Sequence, residues 1–333
     1  MPEVEDPVVT LVRLLKTNMR VVNDDGSLAN IAVSREWYDR ELLKNYDGQV
    51  TAGLRQPSPI KPLNLSHSLC QRILNFKVDC WVVDKPQVNG NRLRSKLREE
   101  ILRIIREKRF KPNETMYDFV GVGTTVGSHK AYSAESTTEL QYNDPNWSEL
   151  SNPNYQKLWY SDDVRYIKST EQTGYYPMIL LKFKFDISKY DPHADHIKTI
   201  VLSFEGWGYN LAGMGVTIKV WNFSTSTWDN AQTGTGDSDE TITITLTSNP
   251  SNYTLEVASG VFELYLLART TNPRTSAVVD IYCDYVKCVL TVEGLTHLKF
   301  GTYNDADEVS VKPFLWHTEF TSIGWMFENV PAT

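Results

Sequence analysis

The spacing of hydrophobic residues along this chain follows two different periods, and the change falls near residue 130. Asp6-Pro7 supplies a helix N-cap followed by a residue preset for the first helical turn. Val8, Leu11, Val12 and Leu15 then recur at helical spacing, so a helix is expected that fades over Asn18–Asn23. Asn23-Asp24-Asp25-Gly26 reads as a turn, with Ile31–Val33 and Gln49–Leu54 as short strands. Gln56–Pro62 carries three prolines and is expected as a loop. From Arg72 to Val83 the alternation is strict: Leu74, Phe76, Val78, Cys80 and Val82 face one way, Asn75, Lys77, Asp79 and Trp81 the other. A second helix over Arg92–Arg109 aligns Leu93, Leu97, Ile101, Ile104 and Ile105, the stripe of a helix laid on a sheet. Met116–Val122 reads as a further strand, and Gly121–Gly127 as a glycine-rich loop.

Beyond this point the period is two. Residues 131–155 are polar and punctuated by Asn-Asp-Pro-Asn and Asn-Pro-Asn, and read as a linker. Strands are expected around Leu181–Ile187, Ile197–Phe204, Val216–Trp221, Ile242–Leu246 and Val261–Ala268. Across Ala277–Glu293 the phase changes: Val279, Ile281 and Cys283 share one face, while Val286, Cys288, Leu290 and Val292 fall one residue out of step. An inserted residue near Asp284-Tyr285 would keep both sets inward. The organisation is therefore an α+β domain over 1–130 (a mixed sheet with helices on one face), a linker over 131–155, an antiparallel all-β sandwich over 156–293, and an aromatic-rich arm over 294–333.

Two resemblances follow from these segments. The opening DPVVTLVRLL, with the strand KVDCWVV and the helix RLRSKLREEILRIIREKR, resembles the tail-terminator, tail-completion and neck proteins of tailed viruses. That likeness implies a ring-forming subunit at an end of a virion tail and carries no active site. The stretch VTIKVWNFSTSTWDNAQTGTGDSDETITITL, with DIYCDYVKCVLTV, resembles the β-sandwich modules of viral surface and carbohydrate-binding proteins, and implies a jelly-roll-like fold. The expected function is a non-enzymatic structural virion protein. Its expected place is the tail or neck, after synthesis in the host cytoplasm, and its partners are copies of itself and neighbouring virion proteins. The alternative is a glycan-binding or host-attachment protein.

Charge sharpens the division. The first 130 residues carry 21 Lys and Arg against 16 Asp and Glu, whereas the remainder carries 13 against 25. No apolar run approaches the ~18–20 residues that span a bilayer, and Met1–Asp6 lacks the basic start of a secretory signal. Cys70, Cys80, Cys283 and Cys288 have neither disulfide-framework nor zinc-knuckle spacing and are expected as buried thiols.

Candidate chemistry is sparse. Asp191-Pro192-His193-Ala194-Asp195-His196 lacks the spacing that converges metal ligands, Asp237–Glu240 reads as a hairpin tip before it reads as a calcium loop, and Asn304–Glu308 lacks the glycine of an EF-hand loop. No catalytic, cofactor or metal residues are assigned. On the second helix Arg94, Arg98, Arg103 and Arg106 are assigned to an interface between copies, together with Phe314, Trp316 and Trp325 of the arm. Packaged DNA passing such a ring is a minor partner, because Glu99, Glu100 and Glu107 interrupt the cations and no aromatic residues interleave. Trp207, Tyr209, Trp221 and Trp228 form the glycan-platform candidate, with packing of a sandwich end as the plainer reading.

Overall fold

The structure, a computed structural model, describes residues 4–35, 37–55, 59–64, 69–186, 196–310 and 312–329. The chain folds as two compact units. One runs to Thr115 and resumes at Val292; the other is Met116–Thr291. The first unit is α+β and the second is all-β.

The first unit opens with α1 (Pro7–Asn18), where Asp6 caps the helix by accepting the Val8 N–H at 2.8 Å. Then come β1 (Ile31–Ser34), α2 (Leu42–Asn45), β2 (Gly48–Leu54), β3 (Ile60–Pro62), β4 (Leu69–Val83) and α3 (Gly90–Glu107). The inward set of β4 is fully buried, as its alternation requires, and it meets Leu11, Leu14 and Leu15 of α1 and Leu97, Ile101 and Ile104 of α3 in one core. Both helices therefore lie on the same sheet face. On the opposite face Trp81 stacks on His317 at 3.6 Å and packs against Tyr38 at 4.5 Å.

The second unit contains β5 (Glu114–Asp118), β6 (Lys130–Ser136), β7 (Ser148–Glu149), α4 (Asn152–Gln156), β8 (Tyr166–Thr170), β9 (Tyr176–Asp186), β10 (Ile197–Tyr209), β11 (Val216–Asn222), β12 (Thr227–Thr233), β13 (Glu240–Leu246), β14 (Leu255–Ala258), β15 (Val261–Thr270) and β16 (Val279–Val292). They form two sheets. One has the order β13-β10-β16-β5, with β8 also on β16; the other has β12-β11-β15-β9-β6-β7, with β14 on β15. The inward residues of both sheets make the core, including Ile200, Leu202 and Phe204 of β10 and Phe183, Leu264 and Ile218 of the larger sheet. On β16 burial alternates up to Cys283, is repeated at Asp284, and resumes one residue out of phase.

Residues 131–155 are not a linker. Residues 130–136 are strand β6, paired with β9, and the following segment covers the outer face of the larger sheet. Glu139 receives both Lys219 and Arg269, Leu140 O accepts the Trp228 indole N–H at 2.7 Å, and Tyr142 packs on Trp221 and Tyr265. Burial works against the Glu139 charge, but the two cations outweigh it and hold the carboxyl below its ordinary range. Polar composition disguised this cover because its apolar contacts rest on a few widely spaced aromatics.

Described residues of the expected aromatic-rich arm, 294–310 and 312–329, return to the first unit. They supply β17 (Leu295–Asp305) and β18 (Leu315–Asn329), and the sheet of the first unit reads β1-β2-β4-β18-β17, with β3 also on β4. β18 pairs antiparallel with β4 along its whole length, from Leu315↔Val83 to Asn329↔Leu69. β1 and β2 pair in parallel. The boundary expected at 130 thus lies at 115/116, and the first unit is completed only after the second has been made. All four cysteines are free and buried; burial pushes the Cys80 and Cys288 thiols up to about 12, leaving them protonated and inert.

Candidate functional site

The outer face of α3 carries a dense row of charged side chains, from Arg92 to Glu107. Asn89 caps the helix by accepting the Arg92 N–H at 3.0 Å, and Asp84 accepts the Gly90 N–H at 2.8 Å and the Trp316 indole N–H at 2.9 Å. A Cβ at position 90 would lie 2.3 Å from the Trp316 ring, so glycine there lets β18 close against the helix start.

Most cations on this face are engaged within the chain. Arg94 is only 7% exposed; its Nη1 donates to both carboxylate oxygens of Asp307, at 2.7 and 2.8 Å, and its guanidinium lies 5.6 Å over the Trp316 ring. Arg98 meets Asp305 at 3.3 Å and covers the Tyr303 ring at 4.9 Å. Arg92 and Lys96 converge on Asp24, whose carboxyl is held below its ordinary range chiefly by the Lys96 hydrogen bond. Arg103 grips Glu100 at 2.7 and 2.8 Å and donates to Asn18 O at 3.0 Å. Burial opposes the Glu100 charge, yet Arg103 and the Arg20 N–H keep its carboxyl low.

The four assigned arginines therefore separate. Arg94 is a buried clasp between α3 and the β17–β18 turn rather than an interface residue, because its charge is met by Asp307 before any neighbour can reach it. Arg98 and Arg103 are half-buried and paired. Arg106 is exposed, and no ion pair holds it among the described residues. It lines two shallow depressions. One, of about 900 Å³, runs along α3 between Arg20, Arg92 and Glu107; the other, of about 400 Å³, is walled by Phe110, His297 and Trp325. Sequence reasoning missed Asp305 and Asp307 as partners of the helix. The available signal was charge complementarity between the acidic run at 304–308 and the basic helix.

Phe314, Trp316 and Trp325 were expected on a surface shared by copies, and all three are half-buried in their own unit. Trp316 packs on the main core, Phe314 meets Trp316 edge-on at 6.3 Å, and Trp325 meets His297 edge-on at 6.5 Å. β18 is an interior strand, so its large side chains are needed where they stand.

The glycan-platform candidates do not share one surface. Trp207 and Tyr209 lie on β10 of the smaller sheet, where Trp207 stacks on Tyr282 at 4.2 Å. Trp221 on β11 and Trp228 on β12 belong to the larger sheet. Trp221 is only 4% exposed, under Tyr142 and edge-on to Trp228 at 5.1 Å, in keeping with the plainer reading of packed aromatics. Alternation placed it on the outer face correctly; the 137–147 segment then covered it. Residues 191–195, part of the acidic and histidine-containing run, lie outside the described residues.

Residues 127–292 match the sequence profile of a protein family described as "Uncharacterized protein, C-terminal domain". The match spans nearly all of the second unit, including the segment expected as a linker. No curated protein matches the chain.

Proposed function

We propose that this chain is a structural component of a tailed-virus particle: the α+β unit assembles with copies of itself into a ring at a tail or neck junction, and the all-β unit is a jelly roll that decorates it. The strand adjacency of the second unit carries this reading. Four strands run β8-β16-β10-β13 in one sheet and four run β9-β15-β11-β12 in the other. Among these eight strands, every connection in chain order except β11–β12 crosses from one sheet to the other. That is the order of a double-Greek-key jelly roll, an architecture of viral capsid and lectin domains.

Self-association is supported by the exposed apolar side chains of the first unit. Trp37 is 91% exposed, with Leu28 and Ile60 also largely in water. Burying a side chain of that kind against a neighbour contributes about 2 kcal/mol or more. Arg106 and the two depressions beside it supply a surface of mixed charged and apolar character for neighbouring virion proteins. The glycan reading would need an open aromatic face, which Trp221 and Trp228 do not provide.

Mass photometry and negative-stain microscopy of the full chain test the proposal. A closed particle of fixed copy number is expected, and Trp37→Glu should shift it toward smaller species. A wild-type protein that stays monomeric at every concentration overturns the reading.

A further inference from the structure

Three carboxylates far apart in sequence converge in the second unit. Asp163 precedes β8, Asp239 immediately precedes β13, and Asp284 sits on β16 where the burial phase slips. One carboxylate oxygen from each lies within 4.8 Å of the other two.

The inward member of this cluster is incompletely satisfied. Asp284 is 1% exposed; its Oδ2 accepts the Asp163 N–H at 3.2 Å, while its Oδ1 is shielded from solvent and has no hydrogen-bond partner among the described residues. Asp239 Oδ1 is likewise shielded and unpartnered. Arg165 is the basic side chain paired with the group. Its Nε donates to Asp239 Oδ2 at 2.7 Å and its Nη2 to Asp163 Oδ1 at 2.7 Å. Glu205 on β10 adds a further negative charge to the surroundings of Asp284. Four acids thus stand against one guanidinium, and the two unpartnered oxygens belong to the two carboxylates that are most withdrawn from water.

We propose that Asp163, Asp239 and Asp284 hold a divalent cation, and that Ca²⁺ is the ion their donor set suits. All three ligands are hard oxygens with no thiol or imidazole among them, which disfavours zinc and copper. One oxygen from each carboxylate within 4.8 Å of the others lets all three reach one ion. Donor count separates calcium from magnesium: Ca²⁺ takes about six to eight oxygens, several of them protein carboxylates, whereas Mg²⁺ keeps several of its waters and is held by one or two carboxylates. Bound there, the ion would tie the turn before β8 and the start of β13 to the middle of β16. It would also neutralise charge that Arg165 leaves over. The site is independent of the proposed particle role.

The test uses the full chain stripped with a chelator, then titrated with CaCl₂ or MgCl₂ and followed by calorimetry and thermal melting. One Ca²⁺ per chain is expected, with a melting temperature several degrees higher and a weaker response to Mg²⁺. Asp239→Asn should weaken calcium binding by roughly tenfold or more. Asp284→Asn should abolish the calcium-dependent rise while leaving the ion-free protein folded and at least as stable, because it removes a buried charge. Asp163→Asn, at an exposed position, serves if the Asp284 variant does not fold. No calcium-dependent shift in the wild type at about 10 mM, beyond the weakest sites of this kind at ~10⁻³ M, overturns the proposal. So does an equal rise in the wild type and the Asp239 and Asp163 variants.

Discussion

His129 makes the stability of the second unit depend on pH in a calculable way. The imidazole is buried, with Phe119, Phe183 and Tyr117 packed at ring distances of 5.8, 5.7 and 6.0 Å. Its Nδ1 accepts the Lys184 backbone N–H at 3.0 Å, which requires the neutral ring with its proton on Nε2. Burial pushes its pKa down from 6.5 to about 4, and the opposing pull of Asp118 is too weak to restore it. The unfolded chain therefore binds a proton between pH 6.5 and about 4 that the folded chain refuses, so stability is complete above pH 6.5 and falls as pH drops. At about 1.4 kcal/mol per pKa unit, the loss approaches 3 kcal/mol by pH 4. Urea unfolding of wild type and His129→Gln, from about pH 7.5 to about pH 4.5, isolates this effect because both proteins share every carboxylate. Gln can accept the Lys184 N–H but does not titrate, so the variant should start about 1 kcal/mol less stable and lose its deficit as pH falls. Parallel stability curves for the two proteins would refute the reasoning.

Three further outcomes follow from the first unit. Deleting residues 294–333 removes β18 from the length of β4 and should unfold the first unit while residues 116–291 remain folded; proteolysis and amide exchange would show a protected second unit beside a degraded first. Gly90→Ala forces a methyl group into the Trp316 ring and the Asp84 carboxylate, and should cost about 1–3 kcal/mol, read as a lower urea midpoint. Arg94→Ala should cost about 3 kcal/mol by stranding Asp307, whereas Arg106→Ala should change stability by less than about 0.5 kcal/mol, and chemical denaturation of the two variants checks the contrast.

The elements legible in the sequence are those whose own residues decide them. Asp6-Pro7 fixed the start of α1, the stripe from Leu93 to Ile105 fixed the buried face of α3, and the alternation from Leu74 to Val82 fixed the inward face of β4. The phase change on β16 was equally legible, and it falls at Cys283–Asp284. The aromatic residues after 294 announced that they needed cover, but nothing in them named β4 as the strand that would provide it. The 137–147 segment was harder still. Its buried surface rests on Tyr142, Trp147 and the paired Glu139, too few for a periodic signal. Of the charged face, the helix was visible and its satisfaction by Asp305 and Asp307 was not.

Local order here is written by short-range physics: backbone sterics, end-capping and the period at which apolar groups recur, each settled within a dozen or so residues. By themselves these set the helices, most strands and the face that each turns inward. The tertiary structure alone decided that the chain returns after residue 292 to complete its first sheet. It also decided that Arg94 is spent internally, and that Asp163, Asp239 and Asp284 meet. A strand's residues specify which side faces the core but carry no address for the partner along its edge. Pairings between distant segments emerge only when the whole chain competes for burial and hydrogen bonds at once.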